Sequence, residues 1–188
     1  MQSSRLLALV LAAVSSAALA QPKAAAVAAC VACHGPGGNS QTPAIPSIAG
    51  QPRVFLENQL VLIREGLRVV PAMQAVMTGL SDPDIVALAR HFSAQAVVPL
   101  ALAVDPAQLQ RGAEVSHRAL CGTCHLPGYA GQNQVPRLAG QRQAYLLETM
   151  KMYRDKPDPG RDTLMSGPLQ GLSDADLAQL AHYFATKP

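Results

Sequence analysis

Apolar and polar positions alternate along this chain with helical rhythm, and they do so twice. Residues 79–92 read GLSDPDIVALARHF and residues 171–184 read GLSDADLAQLAHYF. Ile85, Leu88, Ala89 and Phe92 in the first stretch, and Leu177, Leu180, Ala181 and Phe184 in the second, recur at three- and four-residue steps. That spacing predicts an amphipathic helix in each. Ser81 with Asp84, and Ser173 with Asp176, approach the capping-box pattern at its start. A further helix is predicted over 54–65, with Phe55, Gln59, Leu62 and Ile63 at mixed helical spacing and Gly66 just past its end. Asp105 followed by Pro106 suits an N-cap and first helical residue, so a helix is predicted over 106–120. Strand-like alternation is absent, and the stretches rich in Gly, Pro, Asn and Gln between these helices read as loops. The expectation is an all-α protein of helices and irregular loops.

The repetition extends beyond the helices. CVACH begins at Cys30 and CGTCH at Cys121; PSIAGQ ends at Gln51 and PRLAGQ at Gln141; Phe55-Leu56 is answered by Tyr145-Leu146. The copies keep their order and differ by short insertions, and a period this long is not that of a solenoid, so the chain reads as a duplicated domain. The boundary falls in AVVPLALAVDP, where Pro99 and Pro106 break helices. This linker is apolar and is expected to lie against the protein. The reading divides the chain into residues 1–20, 21–96, a linker at 97–105, and 106–188. One asymmetry stands out. The second half has room for a full helix before its cysteines, whereas the first has only residues 21–29, so its leading helix must be short.

Residues 1–20 combine Arg5, a short apolar run and Ala18-Leu19-Ala20, the pattern of a cleaved secretory leader rather than an anchor. The apolar run is too short to span a bilayer comfortably, and no later stretch is long and apolar enough. The chain has no Trp, three Phe and four Tyr. A half of this size with so few large side chains has trouble filling a core, which a large apolar cofactor would remedy. The net charge of +3 across 188 residues, with no basic stripe, argues against nucleic acid as a partner.

All four cysteines, Cys30, Cys33, Cys121 and Cys124, lie in the two C-x-x-C-H motifs, the attachment signature of a c-type heme. Two thiols three positions apart on a helical turn can reach the two vinyl groups of one porphyrin edge. The next residue, His34 or His125, then supplies the proximal iron ligand. Zinc knuckles would lie much closer together, and a redox C-x-x-C needs a strand–helix context that is missing. Bare disulfides would leave both histidines unexplained. For the sixth iron ligand, Met73 and Met165 stand at the same distance before Leu80 and Leu172, which singles them out among six methionines. Met77, one turn from Met73, is the rival in the first half. Met150 and Met152 sit too far upstream and read as core. Thioether ligation raises a heme's potential. Pro46 and Pro136 follow the histidines at nearly equal distances, and a loop carbonyl there could accept the second ring N–H of each histidine. His91, His117 and His182 read as surface or packing residues, and Arg53 and Arg142, which follow the AGQ stretches closely, as candidates to meet the heme propionates.

With these residues in hand, the chain resembles the diheme cytochromes c of the cytochrome c4 family, within the class I cytochrome c superfamily. The likeness covers nearly all of residues 21–188. It rests on the two C-x-x-C-H motifs, the P-x-[IL]-A-G-Q loops, the two methionines and the LSDxD[IL] helices. It implies two tandem class I cytochrome c domains, each wrapped around one covalent heme c and related by a pseudo-twofold axis, with His34, Met73, His125 and Met165 at the axial positions. It further implies a periplasmic carrier, soluble or peripherally membrane-associated, that passes single electrons between respiratory redox proteins such as a cytochrome bc complex, a dehydrogenase or a terminal oxidase. Two alternatives accompany this. One is a dedicated cytochrome subunit of a periplasmic dehydrogenase. The other is a diheme redox enzyme, which would need an open iron or a spare cysteine ligand.

Overall fold

The computed structural model describes residues 21–156 and 163–188. The predicted leader, residues 1–20, lies outside the described residues. The first half holds α1 (Ala24–His34), α2 (Arg53–Arg64), α3 (Pro71–Met77) and α4 (Asp82–Ser93). The second holds α5 (Pro106–Arg118), α6 (Cys121–His125), α7 (Gln143–Asp155), α8 (Ser166–Leu169) and α9 (Asp174–Ala185). Among the described residues the only extended pairing is an isolated bridge between Gln132 and Val135. The all-α expectation holds, and α3 and α8 are additions to it.

The helix starts form as the sequence dictates. Ser81 and Ser173 each accept from the backbone N–H three residues on, while Asp84 and Asp176 accept from the serine backbone N–H in return. Asp105 accepts from the N–H groups of Ala107 and Gln108. The helix predicted over 106–120 stops at Arg118. Leu120, exposed and left-handed at φ 55°, breaks it before α6 resumes. In the first half no such break occurs, and α1 runs straight through the cysteines to His34.

The two cores differ. In the second half, α7 and α9 enclose one continuous cluster that includes Leu146, Met150, Leu169, Leu177, Leu180 and Phe184. In the first half, one cluster (Leu56, Leu88, Ala89 and Phe92) lies under Cys30, and another (Ile63, Met77 and Ile85) lies under Met73; Leu60 and Leu80 touch both. α5 starts well before its cysteines and crosses α9 closely, because Gly112 presents no side chain. A Cβ there would stand 2.4 Å from the Gln179 carbonyl oxygen. α1 has no turns equivalent to the start of α5.

The linker lies on the protein, as its apolar composition predicts. The Asn39 side chain donates to the Ala96 carbonyl (3.0 Å) and accepts from the Val98 N–H (2.8 Å). Leu100 and Leu102 pack on the second core.

Two outcomes are expected. Gly112→Ala forces α5 away from α9 and should destabilise the protein by about 1–3 kcal/mol, read by denaturant unfolding. Separately, hydrogen bonds from the Ser81 hydroxyl and backbone, helped by Lys23, hold the Asp84 carboxyl down to about 2, and Ser173 and Arg118 lower Asp176 in the same way. These carboxyls are depressed in the folded state. Their contribution is therefore present above the ordinary carboxylate value of about 4 and is lost as pH falls toward about 2. Thermal unfolding followed across that window should show the loss, and Ser81→Ala with Ser173→Ala should shrink it.

Candidate heme-binding site

Each C-x-x-C-H motif is helical, so its two thiols share a helix face. No disulfide joins the four cysteines; Cys30 and Cys121 are half-buried, and Cys33 and Cys124 are exposed. Burial pushes the Cys30 and Cys121 thiols up, with the neighbouring Cys33 adding to the rise at Cys30.

The histidines that follow are buried and equivalent. His34 Nδ1 donates to the Pro46 carbonyl at 2.8 Å, and His125 Nδ1 donates to the Pro136 carbonyl at 2.8 Å. A carbonyl oxygen can only accept, so the proton sits on Nδ1 and the lone pair on Nε2. Burial pushes both imidazoles below their ordinary value, and the carbonyl bonds offset this only in part. Burial therefore favours the neutral rings, and the Nδ1 bonds leave Nε2 to bind a metal. His125 Nε2 is buried with no hydrogen-bond partner, an arrangement that calls for an occupant.

The loops that carry these prolines are built alike. The Gly38 carbonyl accepts from the N–H groups of Ile48 and Ala49, and the Tyr129 carbonyl from those of Leu138 and Ala139. The Gly50 N–H donates to the Phe92 carbonyl (2.9 Å), and the Gly140 N–H to that of Phe184 (3.0 Å), pinning each loop to the last helix of its own half. Gly50 and Gly140 both take positive φ, and a Cβ on Gly50 would meet Val97 at 2.4 Å.

Met73 lies half-buried on α3, which touches α1. Met165 ends a short 3-10 turn and packs on the same cluster as Cys121. The rival Met77 is almost wholly buried in the core; its repeat counterpart is Leu169, equally buried and incapable of ligation. Met150 is core as predicted, but Met152 is 37% exposed, because adjacent alternate positions on α7 face opposite ways. His182 is buried and accepts from the Asp105 N–H, His91 stacks edge-on with Phe92, and His117 is exposed, so all three serve packing or the surface. Arg53 pairs with Glu57 on the surface. Arg142 reaches the Gln41 carbonyl, and its buried Nε has no partner.

Two pairs of positioning residues escaped the sequence reading. Arg64 donates to the Leu80 carbonyl (3.0 Å) and pairs with Asp82 and Glu65. Arg154 donates to the Leu172 carbonyl (2.8 Å) and pairs with Asp174 and Asp155. Each guanidinium thus closes the segment carrying Met73 or Met165. The signal was present as Arg followed by an acidic residue in both copies. The second pair is Gln51 and Gln141, which cross between the halves. Gln141 accepts from the Ser47 N–H and donates to the Ser47 carbonyl, both at 2.8 Å. Gln51 accepts from the Arg137 N–H and donates to the Arg137 carbonyl, both at 3.0 Å.

The donor set fits heme: paired thiols, a neutral oriented imidazole and a half-buried thioether, in a fold poor in aromatic filler. Heme supplies reversible one-electron iron chemistry. The fold and site together define a tandem diheme c-type cytochrome. Comparison with known proteins agrees. The Cytochrome c family matches residues 109–187, and the family described as Cytochrome C oxidase, cbb3-type, subunit III matches residues 17–91. Cytochrome c4 of Pseudomonas aeruginosa is 33% identical over 180 residues, covering 91% of this chain and 88% of that protein. The thiosulfate dehydrogenase electron acceptor of Thiomonas intermedia is 32% identical over 193 residues, covering 94% and 85%. The crystal structure of reduced cytochrome c4 from Pseudomonas stutzeri superposes with a TM-score of 0.79 at 32% identity, covering 90% of this chain and 100% of that one. The chain belongs to the cytochrome c4 family: it is an electron-transfer protein with two covalently bound heme c groups.

Replacing Arg154 by Gln removes the fork between α7 and the Leu172 carbonyl. Amide exchange should accelerate across residues 163–172 while α5 stays protected, as mass spectrometry would show.

Proposed function

We propose that the first heme is held by Cys30 and Cys33, with His34 and Met73 as axial ligands, and the second by Cys121 and Cys124, with His125 and Met165. The observation that carries this reading is the doubled histidine geometry, a neutral buried ring oriented through Nδ1 with Nε2 left to the iron. The match of buried Met77 to buried Leu169 favours Met73 over Met77. Iron held on both sides by these residues would offer no open coordination position to substrate, which favours a carrier over an enzyme. Domain bounds of 21–96 and 106–188, joined by 97–105, agree with the way Asn39 grips the chain at 96 and 98.

The leader-like pattern of residues 1–20 supports export to the periplasm. Among the described residues no helix is long and apolar enough to cross a membrane. The partners are redox proteins: a cytochrome bc complex or a dehydrogenase as donor, and a terminal oxidase as acceptor. The likeness to a thiosulfate dehydrogenase electron acceptor favours a second reading, in which this chain is the dedicated acceptor of such a dehydrogenase.

A redox titration with optical spectra tests the site. Two low-spin hemes are expected. Met73→Ala and Met165→Ala should each turn one heme high-spin, open to added ligand and lower in potential. Cys121→Ala or His125→Ala should lose one heme and destabilise the second half. A spectrum unchanged when both methionines are replaced would overturn the assignment.

A further inference from the structure

The carbonyl of Pro46 and the N–H of Ser47 belong to one peptide group, as do the carbonyl of Pro136 and the N–H of Arg137. In each group the carbonyl accepts from the proximal histidine of its own half, and the N–H donates to a glutamine of the other half. One chain runs from Gln141 Oε1 through the 46–47 peptide to His34 Nδ1, with links of 2.8 and 2.8 Å. The other runs from Gln51 Oε1 through the 136–137 peptide to His125 Nδ1, with links of 3.0 and 2.8 Å. Ser47, Gln51, Arg137 and Gln141 are all buried, so the glutamine links are shielded from water.

We propose that Gln51 and Gln141 are crossed positioning residues, each setting the reduction potential of the heme in the opposite half. Hydrogen bonds in series polarise one another. A glutamine oxygen on the peptide N–H makes the peptide carbonyl a stronger acceptor. A stronger acceptor at Nδ1 makes the imidazole a more basic iron ligand. That stabilises the oxidised iron and lowers the potential. The second arm of each glutamine, donating to the carbonyl of residue 47 or 137, holds the amide in register. Because each half supplies the other's glutamine, neither heme reaches its full environment until the two halves are docked.

The proposal rests on His34 and His125 being the proximal ligands, and its test separates the two ideas. In the holoprotein, Gln141→Leu removes the relay to His34 while keeping an apolar side chain of similar bulk. The oxidised-to-reduced ratio of the first heme at fixed poise should fall at least threefold, a rise of about 28 mV at 59 mV per decade for one electron. The second heme should stay put, and Gln51→Leu should give the converse. Paramagnetically shifted resonances connected to Cys30 and Cys121 assign the hemes independently of their axial ligands. A second readout is the His34 Nδ1 proton in the reduced protein, which should move upfield in Gln141→Leu.

Gln141→Glu keeps an oxygen on the Ser47 N–H, and the first heme should then titrate at or below its native potential. It also serves if the leucine variant fails to fold. A shift confined to the mutated half, an equal shift in both hemes, no shift, or a raised potential in the glutamate variant would overturn the relay. An error in ligation would show differently, as a low-spin spectrum surviving in His34→Gly.

Discussion

The hydrogen bond from a buried histidine Nδ1 to a proline carbonyl is the constraint on which both halves of this molecule depend. A c-type heme is tethered through its edge by thioethers, and tethering alone does not orient the ring proposed to meet the iron. The carbonyl does so by choosing the tautomer and fixing the ring plane. Much of the loop architecture follows from this need. The paired N–H groups that converge on the Gly38 and Tyr129 carbonyls fold the loop back, and the glycine N–H groups bonded to Phe92 and Phe184 hold it against the last helix. A proline suits the accepting position because its rigid φ narrows where its carbonyl can point.

That loop also faces the other half of the protein. Each PxxAGQ segment offers its second residue to the partner's glutamine and presents its own glutamine in return. The interface is therefore built from the same loops that orient His34 and His125. Domain docking and heme environment are physically continuous here. Arg137 sharpens the point. It is nine-tenths buried, and its guanidinium lies near both glycine turns, where side chains would crowd it.

The halves share a plan but not a degree of consolidation. α5 is long and crosses α9 at glycine distance, and the second core is continuous. α1 starts only just before its cysteines, and the first core is parted between the cysteine side and the methionine side. A pair of hemes in such unequal settings has reason to differ in potential, since exposure and packing both act on it. The Arg64 and Arg154 forks, by contrast, are nearly identical, so the methionine-bearing segments are closed in the same way in both halves.

Local chemistry carried much of this in the amino-acid order alone. Two C-x-x-C-H motifs, serine–aspartate caps before apolar helices and methionines at one repeated offset are short-range patterns, and duplication marked them as deliberate. Met73 could be preferred to Met77 only because a second copy existed for comparison. The break at Leu120, the exposure of Met152 and the brief helices α3 and α8 were not legible, because each depends on what packs against it. Gln51 and Gln141 are the clearest case. The AGQ repeat was plain to see, but a glutamine beside a glycine says nothing of its partner, which lies far away in the chain. Sequence picked out the residues proposed to hold heme and marked two sites. Tertiary structure decided that each half's glutamine bonds the other half's loop, because hydrogen bonds between distant loops exist only once the two domains meet.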